Sequence, residues 1–167
     1  MKLYVMRHGS AEEHAESGID ADRALTAPGR DRVRAVAKAL VDAGEAPLRI
    51  LTSPLVRAVQ TAEIVAIVTK LGEREGTVEA SRDIAPGGDG ATLARRLAVE
   101  GRKRVMLVGH EPDLSVIVGR LVGDFDRPFD KSMVVGLHIP ADAGPARLRF
   151  ILEPKTLRFD PELTVDG

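Results

Sequence analysis

The sequence contains no cysteine and no tryptophan, and only 3% of its residues are aromatic. Without cysteine the chain can form no disulfide framework, no thiolate metal site and no cysteine nucleophile. It also carries little net charge, because 24 Lys and Arg residues against 25 Asp and Glu residues leave a formal charge of −1. This balance gives no reason to expect a nucleic acid or an anionic membrane surface as a partner. Any covalent chemistry must therefore come from other side chains.

Long hydrophobic runs are also missing. No apolar stretch approaches the ~20 residues that a membrane helix needs. Arg7 and His8 follow the short apolar start of the chain at once, where a signal peptide would require a longer hydrophobic region. We therefore expect a cytoplasmic protein that does not bind membranes. With 167 residues, 44% of them hydrophobic and 29% charged, the chain is expected to form a single domain over residues 1–167.

Short apolar segments alternate with segments of helical periodicity. Strands are predicted at residues 2–6, 48–52, 78–81, 104–108, 133–139 and 147–152. Helices are predicted after the N-cap Thr26, from Pro54, over residues 91–99 and after Pro112. This alternation predicts a three-layer α/β/α fold with a mostly parallel central sheet and an antiparallel edge. Residues 152–167 contain two prolines and no clear periodicity, which predicts an irregular C-terminal tail.

Histidines and arginines follow three of the predicted strands. Arg7 and His8 end the first strand, Arg57 lies one turn into the helix after the second, and His110 follows the strand at 104–108. In a parallel sheet, functional residues gather beyond the carboxyl ends of the strands. We therefore expect these four side chains to share one edge of the sheet.

This set of side chains suits a phosphoryl group. Arginine presents a planar fork of N–H donors that matches phosphate oxygens and stays charged at any working pH. A neutral imidazole is a competent nucleophile toward phosphorus, and a second imidazole can donate hydrogen bonds to the transferring oxygens. Phosphoryl transfer requires mainly positioning and charge compensation. The residues therefore predict a phosphoryl-transfer site.

Four segments of the sequence also resemble a known family. They are LYVMRHGSAEEH at residues 3–14, DRALTAPGR at 22–30, TSPLVRAVQTAEI at 52–64 and VGHEPDLS at 108–115. Together they resemble the histidine phosphatase superfamily, which includes phosphoglycerate mutases and histidine acid phosphatases. In the residues of these segments and in its small size, the chain is most similar to the SixA branch, the phosphohistidine phosphatases. The resemblance implies a phosphoglycerate mutase-like fold.

The resemblance also implies a role for each of the four residues. His8 is implied as the nucleophile that becomes transiently phosphorylated. Arg7 and Arg57 are implied as clamps on the phosphate oxygens, and His110 is expected to complete the pocket from the opposite side. Donor chemistry and position in the predicted fold select the same four residues.

The general acid is open between two carboxylates. Asp83 occupies the place from which many superfamily members supply it, and Glu111 follows the second histidine, where acid phosphatases have an aspartate. Glu111 is equally well explained as a carboxylate that complements a helix N-terminus. A phosphohistidine substrate needs no dedicated acid, because imidazole is a better leaving group than an alkoxide. Ser53 could position phosphate or cap the following helix.

Three functions remain open at this stage. The first is a phosphatase that removes the phosphoryl group of phosphohistidine on a partner protein, such as a phosphotransfer domain, through a covalent phospho-His8 intermediate. The short segment 83–90 favours it, because an open pocket suits a histidine on a folded partner. The second is a phosphomonoesterase, or a mutase, for a small phosphorylated metabolite. The third is a catalytically silent phosphate-binding module. We expect no metal, since no His or carboxylate pair has metal-ligand spacing, and no cofactor.

Overall fold

The computed structural model describes residues 1–142 and 144–161, which contain seven strands and four α-helices. The strands are β1 (Lys2–Arg7), β2 (Arg49–Thr52), β3 (Thr77–Ala80), β4 (Arg104–Gly109), β5 (Val134–His138), β6 (Arg147–Leu152) and β7 (Phe159–Asp160). The helices are α1 (Ala27–Asp42), α2 (Val56–Val68), α3 (Gly90–Val99) and α4 (Asp113–Val122). None of the helices in this part of the chain is long and apolar enough to cross a membrane.

The strands form one mixed sheet in the order β3-β2-β4-β1-β5-β6-β7. β3, β2, β4 and β1 run parallel to one another. β5 pairs antiparallel with β1, and β6 and β7 continue that pattern. The predicted α/β fold is confirmed, and the sheet formed by the described residues is mixed, with three parallel and three antiparallel strand pairings.

Helices cover both faces of the sheet. Leu3 and Val5 of β1 pack with α3 and α4, whereas Tyr4 and Met6 pack with α1 and α2. All four side chains are fully buried. Successive side chains of a strand point to opposite faces, so the unbroken apolar run of β1 is what a strand covered on both sides requires. The predicted three layers are confirmed.

The helix boundaries follow the local signals of the sequence in part. Thr26 caps α1, since its hydroxyl accepts a hydrogen bond from the Gly29 amide at 3.0 Å, as predicted. The predicted start of α2 at Pro54 is wrong by two residues, because Leu55 is extended and occupies the N-cap position. Ser53 is therefore not the cap of this helix.

The C-terminal segment contains more regular structure than the sequence predicts. β6 ends at Leu152, and the chain returns at Phe159 to pair antiparallel with it. The Phe159 ring packs edge-on against Phe150 with ring centroids 5.0 Å apart. The prediction of a wholly irregular tail is therefore wrong for β7, whose two residues are too few to show a periodicity. Residues 162–167 of the predicted tail lie outside the described residues.

A buried carboxylate ties the two halves of the sheet together at the edge where β1 begins. Glu45 accepts hydrogen bonds from the Tyr4 hydroxyl at 2.7 Å and the Lys2 ammonium at 2.9 Å, and from both terminal nitrogens of Arg149 at 2.7 and 2.9 Å. Burial alone would raise the pKa of the Glu45 carboxyl, but these hydrogen bonds outweigh it and lower the pKa to about 2. Because the folded pKa is depressed, the network stabilises the fold above the unfolded pKa, and this stabilisation is lost as pH falls toward 2.

We expect Glu45→Gln to lower the free energy of unfolding by about 2 kcal/mol at pH 7, since it removes the buried carboxylate that pairs with the half-buried Arg149 guanidinium. Urea unfolding at pH 7 and at pH 4 measures the effect, and the difference between variant and wild type should shrink at lower pH. Asp42→Asn is the matched control, because the exposed Lys38 is the only ion-pair partner of Asp42 among the described residues. Equal losses in the two variants would contradict the network's role.

Candidate active site

The carboxyl ends of β1, β4 and β2 meet at one edge of the sheet. Arg7 lies opposite Gly109 in the β1–β4 register, and Thr52 lies opposite Val108 in the β2–β4 register. The segments that follow these strands therefore start side by side. His8 and His110 consequently lie with their ring centroids 5.0 Å apart.

The imidazole of His8 is held in one tautomer. Its Nδ1 donates a hydrogen bond to the Gly9 carbonyl oxygen at 2.7 Å, and because a carbonyl only accepts, Nδ1 carries the proton. The lone pair of the neutral ring is therefore on Nε2. Burial lowers the pKa of His8 to about 3, with the charges of His110, Arg57 and Arg7 acting in the same direction and the bond to Gly9 opposing them. His8 is neutral at physiological pH.

The loop that carries His8 is fixed by backbone contacts. The His8 amide donates to the Gly109 carbonyl oxygen at 3.1 Å, and the Gly9 amide donates to the Thr61 hydroxyl of α2 at 3.1 Å. Glycine at position 29 lets α1 pack directly on this loop, because a Cβ there would lie 2.1 Å from the Ser10 carbonyl oxygen. The loop is therefore clamped between two helices.

Arg57 is buried, with 8% of its surface exposed, and is oriented by Asp20. Its two terminal nitrogens donate to the Asp20 backbone oxygen at 2.9 Å and to the Asp20 carboxylate at 3.1 Å. Hydrogen bonds from Arg23 and then from Arg57 lower the pKa of the Asp20 carboxyl. The guanidinium is therefore held in place with part of its donor set still unused.

Arg7 is anchored in a comparable way from the other side. Its Nη1 donates to the Phe129 carbonyl oxygen at 2.6 Å, while its buried Nε has no hydrogen-bond partner within the described ranges. The Ser132 amide reaches the carbonyl oxygens of Arg7 and His8 at 3.1 and 3.2 Å. The loop before β5 thus supports both residues.

His110 contacts the hydroxyl of Ser53, with 2.7 Å between its Nε2 and the Ser53 oxygen. Its Nδ1 is buried and lacks a hydrogen-bond partner among residues 1–142 and 144–161. Burial, followed by the charge of Arg57, lowers the pKa of His110 to about 4. Ser53 thus contacts a predicted site residue, and its direct contact with phosphate stays a prediction.

The structure therefore brings together Arg7, His8, Arg57 and His110, the four residues selected from the sequence. Two neutral imidazoles and two permanent cations lie close together at this edge of the sheet, since the charges of Arg7 and Arg57 act on both rings, and both imidazoles are less than 8% exposed. Such a site can hold a dianion and present a nucleophilic nitrogen to it. No group of three or more His, Asp or Glu side chains in the described part of the chain is arranged to hold a metal ion.

The two carboxylates considered as general acids are engaged elsewhere. Glu111 accepts the Ser115 hydroxyl at 2.7 and 2.9 Å and the Phe129 amide at 2.7 Å, so it ties the loop before β5 to α4. Asp83 is about half exposed and lies 3.7 Å from Arg96 of α3. Neither carboxylate contacts His8 or His110 within the ranges that the structure describes.

Three further residues complete the site, and two of them have no signal in the sequence that identifies them. Asp20 contacts Arg57, the Phe129 carbonyl contacts Arg7, and Thr61 joins α2 to the His8 loop. Only Thr61 follows a recognisable spacing, since it lies one helical turn after Arg57 and donates to its carbonyl oxygen at 2.8 Å. The other contacts span 37 and 122 residues, which local patterns do not reveal.

The comparisons with known proteins agree with this geometry. The signature of the histidine phosphatase superfamily, branch 1, matches residues 3–84. The chain is 43% identical over 117 residues to an uncharacterized protein of a Picosynechococcus species, covering 68% of each chain. It is 28% identical over 163 residues to the phosphohistidine phosphatase SixA of Escherichia coli K12, covering 95% of this chain and 98% of SixA.

A solved structure of the protein histidine phosphatase SixA complexed with tungstate superposes with a TM-score of 0.85. The two sequences are 27% identical, and the match covers 95% of this chain and 100% of the other. The phosphoglycerate mutase-like architecture expected from the sequence is therefore confirmed. With the matching signature, the relatives and this fold in agreement, the chain belongs to the histidine phosphatase superfamily.

Proposed function

We propose that this protein is a phosphatase that hydrolyses phosphohistidine on a partner protein through a phosphorylated His8. The observation that carries the proposal is a neutral, oriented His8 between two arginines in a pocket whose nearby carboxylates, Asp83 and Glu111, are engaged in other contacts. The same-fold SixA structure in complex with tungstate, a tetrahedral oxyanion like phosphate, supports an oxyanion in this pocket. The SixA names of the relatives support phosphohistidine as the substrate.

The first step transfers the phosphoryl group to the protein. The Nε2 lone pair of His8 attacks phosphorus, a new N–P bond forms, and the N–P bond to the substrate imidazole breaks. The free donors of Arg7 and Arg57 bind the non-bridging oxygens, whose charge they compensate. The departing imidazole nitrogen takes a proton from solvent, and water then attacks phospho-His8 to release inorganic phosphate.

His110 contributes a hydrogen bond from the other side of the pocket. In the tautomer that donates from Nδ1, its Nε2 accepts the Ser53 hydroxyl, which keeps the ring in place. The buried Nδ1 is then satisfied by a phosphoryl oxygen. Ser53 accordingly acts through His110 as a positioning residue.

The chemistry of the leaving group favours phosphohistidine over a phosphate ester. An alkoxide leaves only with a proton from a well-placed acid, whereas an imidazole nitrogen leaves with much less help. Asp83 lies at ion-pair distance from Arg96, and Glu111 accepts a hydrogen bond from the backbone amide of Phe129. Moreover, a single-turn segment, Arg82–Ile84, and a short loop join β3 to α3, which supports access for a histidine on a folded domain.

We expect the protein to dephosphorylate a phosphohistidine-bearing phosphotransfer domain much faster than a panel of phosphate monoesters. Asp83→Asn should change the rate with phosphohistidine less than about twofold, because no fixed acid is needed. Steady-state release of inorganic phosphate from both substrate types gives the measurement. Ready turnover of monoesters with phosphohistidine left intact would instead establish a small-molecule phosphomonoesterase.

We expect a phosphoryl group to be trapped on His8 during turnover. A labelled substrate, a quench in detergent at alkaline pH, which preserves phosphohistidine, and peptide mapping locate the label. His8→Ala should abolish both the label and the turnover, while His14→Ala, which removes an exposed histidine of the same loop, should keep both. Turnover of the wild type without any label on His8 would eliminate the covalent route.

We expect Asp20→Asn to lower kcat/KM about tenfold, because the neutral amide orients the Arg57 guanidinium less firmly. Asp22→Asn is the matched control, since in the described part of the chain the Asp22 carboxylate accepts a hydrogen bond only from the Ser17 hydroxyl. Asp20→Glu should recover part of the loss, which a disturbed fold would not allow. If Asp22→Asn lowers kcat/KM as much as Asp20→Asn does, the proposed role of Asp20 is wrong.

A further inference from the structure

A cavity of about 490 Å³ is lined by Arg7 and therefore adjoins the proposed phosphate-binding site. It lies between the start of α1, the loop before β5 and the turn after β6. We call it the basic cleft, and the lining residues that matter are Arg7, Pro28, Arg32, Asp130, Lys131 and Lys155. The cleft therefore adjoins the reacting centre without containing His8 or His110.

The cleft carries uncompensated positive charge. Arg32, Lys131 and Lys155 are exposed, and within residues 1–142 and 144–161 no carboxylate lies at ion-pair distance from any of them. Arg32 is held over the cleft, because its Nη1 donates to the Pro154 carbonyl oxygen at 2.9 Å. Asp130 is the only carboxylate among the cavity's lining residues in this part of the chain. The cations thus clearly outnumber it.

The start of α1 adds to this positive field. Pro28, in the first turn of the helix, lines the cleft, so the positive end of the helix dipole faces the same space. Since the chain as a whole has a formal charge of −1, the positive field here is local. A positive field beside a site for an anion is complementary to a second anionic group on the same substrate.

We propose that the basic cleft binds acidic side chains that flank the phosphohistidine on the partner protein. This inference rests on the proposed function and adds a chemical description of the partner. The cations extend from three separate segments and remain exposed, whereas a subsite for a small metabolite buries most of its ligand. Exposed charges of this kind are complementary to a solvated acidic patch. They act mainly on the rate at which the two proteins associate and on KM.

The test compares a protein substrate with a small one. The double variant Lys131→Glu/Lys155→Glu is assayed with a phosphorylated phosphotransfer domain that has acidic residues beside its histidine, and with phosphoramidate, which has an N–P bond and no such residues. We expect KM for the domain to rise about tenfold with kcat unchanged, and phosphoramidate hydrolysis to stay at the wild-type rate. Added salt should raise KM of the wild type and have little effect on the variant.

Two controls separate the cleft from general effects of charge and folding. Lys103→Glu makes one such Lys-to-Glu exchange, half the change in charge of the double variant, just before β4 at the opposite edge of the sheet, and should leave KM unchanged. Lys131→Arg/Lys155→Arg keeps the charge and should retain the wild-type KM. An unchanged KM in the double Glu variant, or an equal rise with Lys103→Glu, overturns the proposal.

A failure of the proposed function would be visible separately. If the wild type hydrolyses phosphate monoesters but leaves the phosphorylated domain intact, the phosphohistidine assignment is wrong, and a hexaglutamate peptide then probes the cleft alone. If the peptide raises KM for the monoester in the wild type but not in the double Glu variant, the cleft binds an acidic ligand. Lack of competition in the wild type overturns it.

Discussion

The parallel hydrogen-bonded pairing of β1, β4 and β2 is the constraint on which the site depends. It continues one residue beyond the strands, because the His8 amide bonds to the Gly109 carbonyl and the Ser53 amide bonds to the Val108 carbonyl. The first residues after β1 and β2, His8 and Ser53, are therefore still held by the sheet. The backbone of His8 is consequently fixed by the buried sheet, and the His110 ring is positioned through its contact with Ser53.

Burial and positive charge act on these imidazoles in the same direction. Both disfavour the imidazolium form, so the pKa of His8 falls to about 3 and that of His110 to about 4. A neutral ring costs less to bury than a cation and keeps the lone pair that nucleophilic attack on phosphorus needs. Burial is the main cause that keeps His8 unprotonated, and the guanidinium groups of Arg57 and Arg7, which bind the oxyanion in the proposed mechanism, act in the same direction.

The sequence predicts the parts of this arrangement that depend on local patterns. Arg7, His8 and His110 follow buried strands, and the topology of parallel strands brings such residues together. The contact of Asp20 with Arg57 and that of the Phe129 carbonyl with Arg7 depend on how distant loops pack, and no periodicity records them. β7 was missed for a related reason, since its pairing and the packing of its aromatic ring are tertiary contacts that override a weak local preference.

The distribution of carboxylates explains how a chain with a formal charge of −1 can present a pocket for an anion. Asp20 approaches Arg57 and orients it, Glu111 is bound to a backbone amide, and Glu45 forms its network where β1 begins, at the opposite edge of the sheet. Each of these three carboxylates therefore has hydrogen-bond donors of its own. A carboxylate free to face His8 would repel the phosphoryl oxygens and raise the pKa of the imidazole. The position of the negative charges, more than their number, sets the chemistry that His8 can perform.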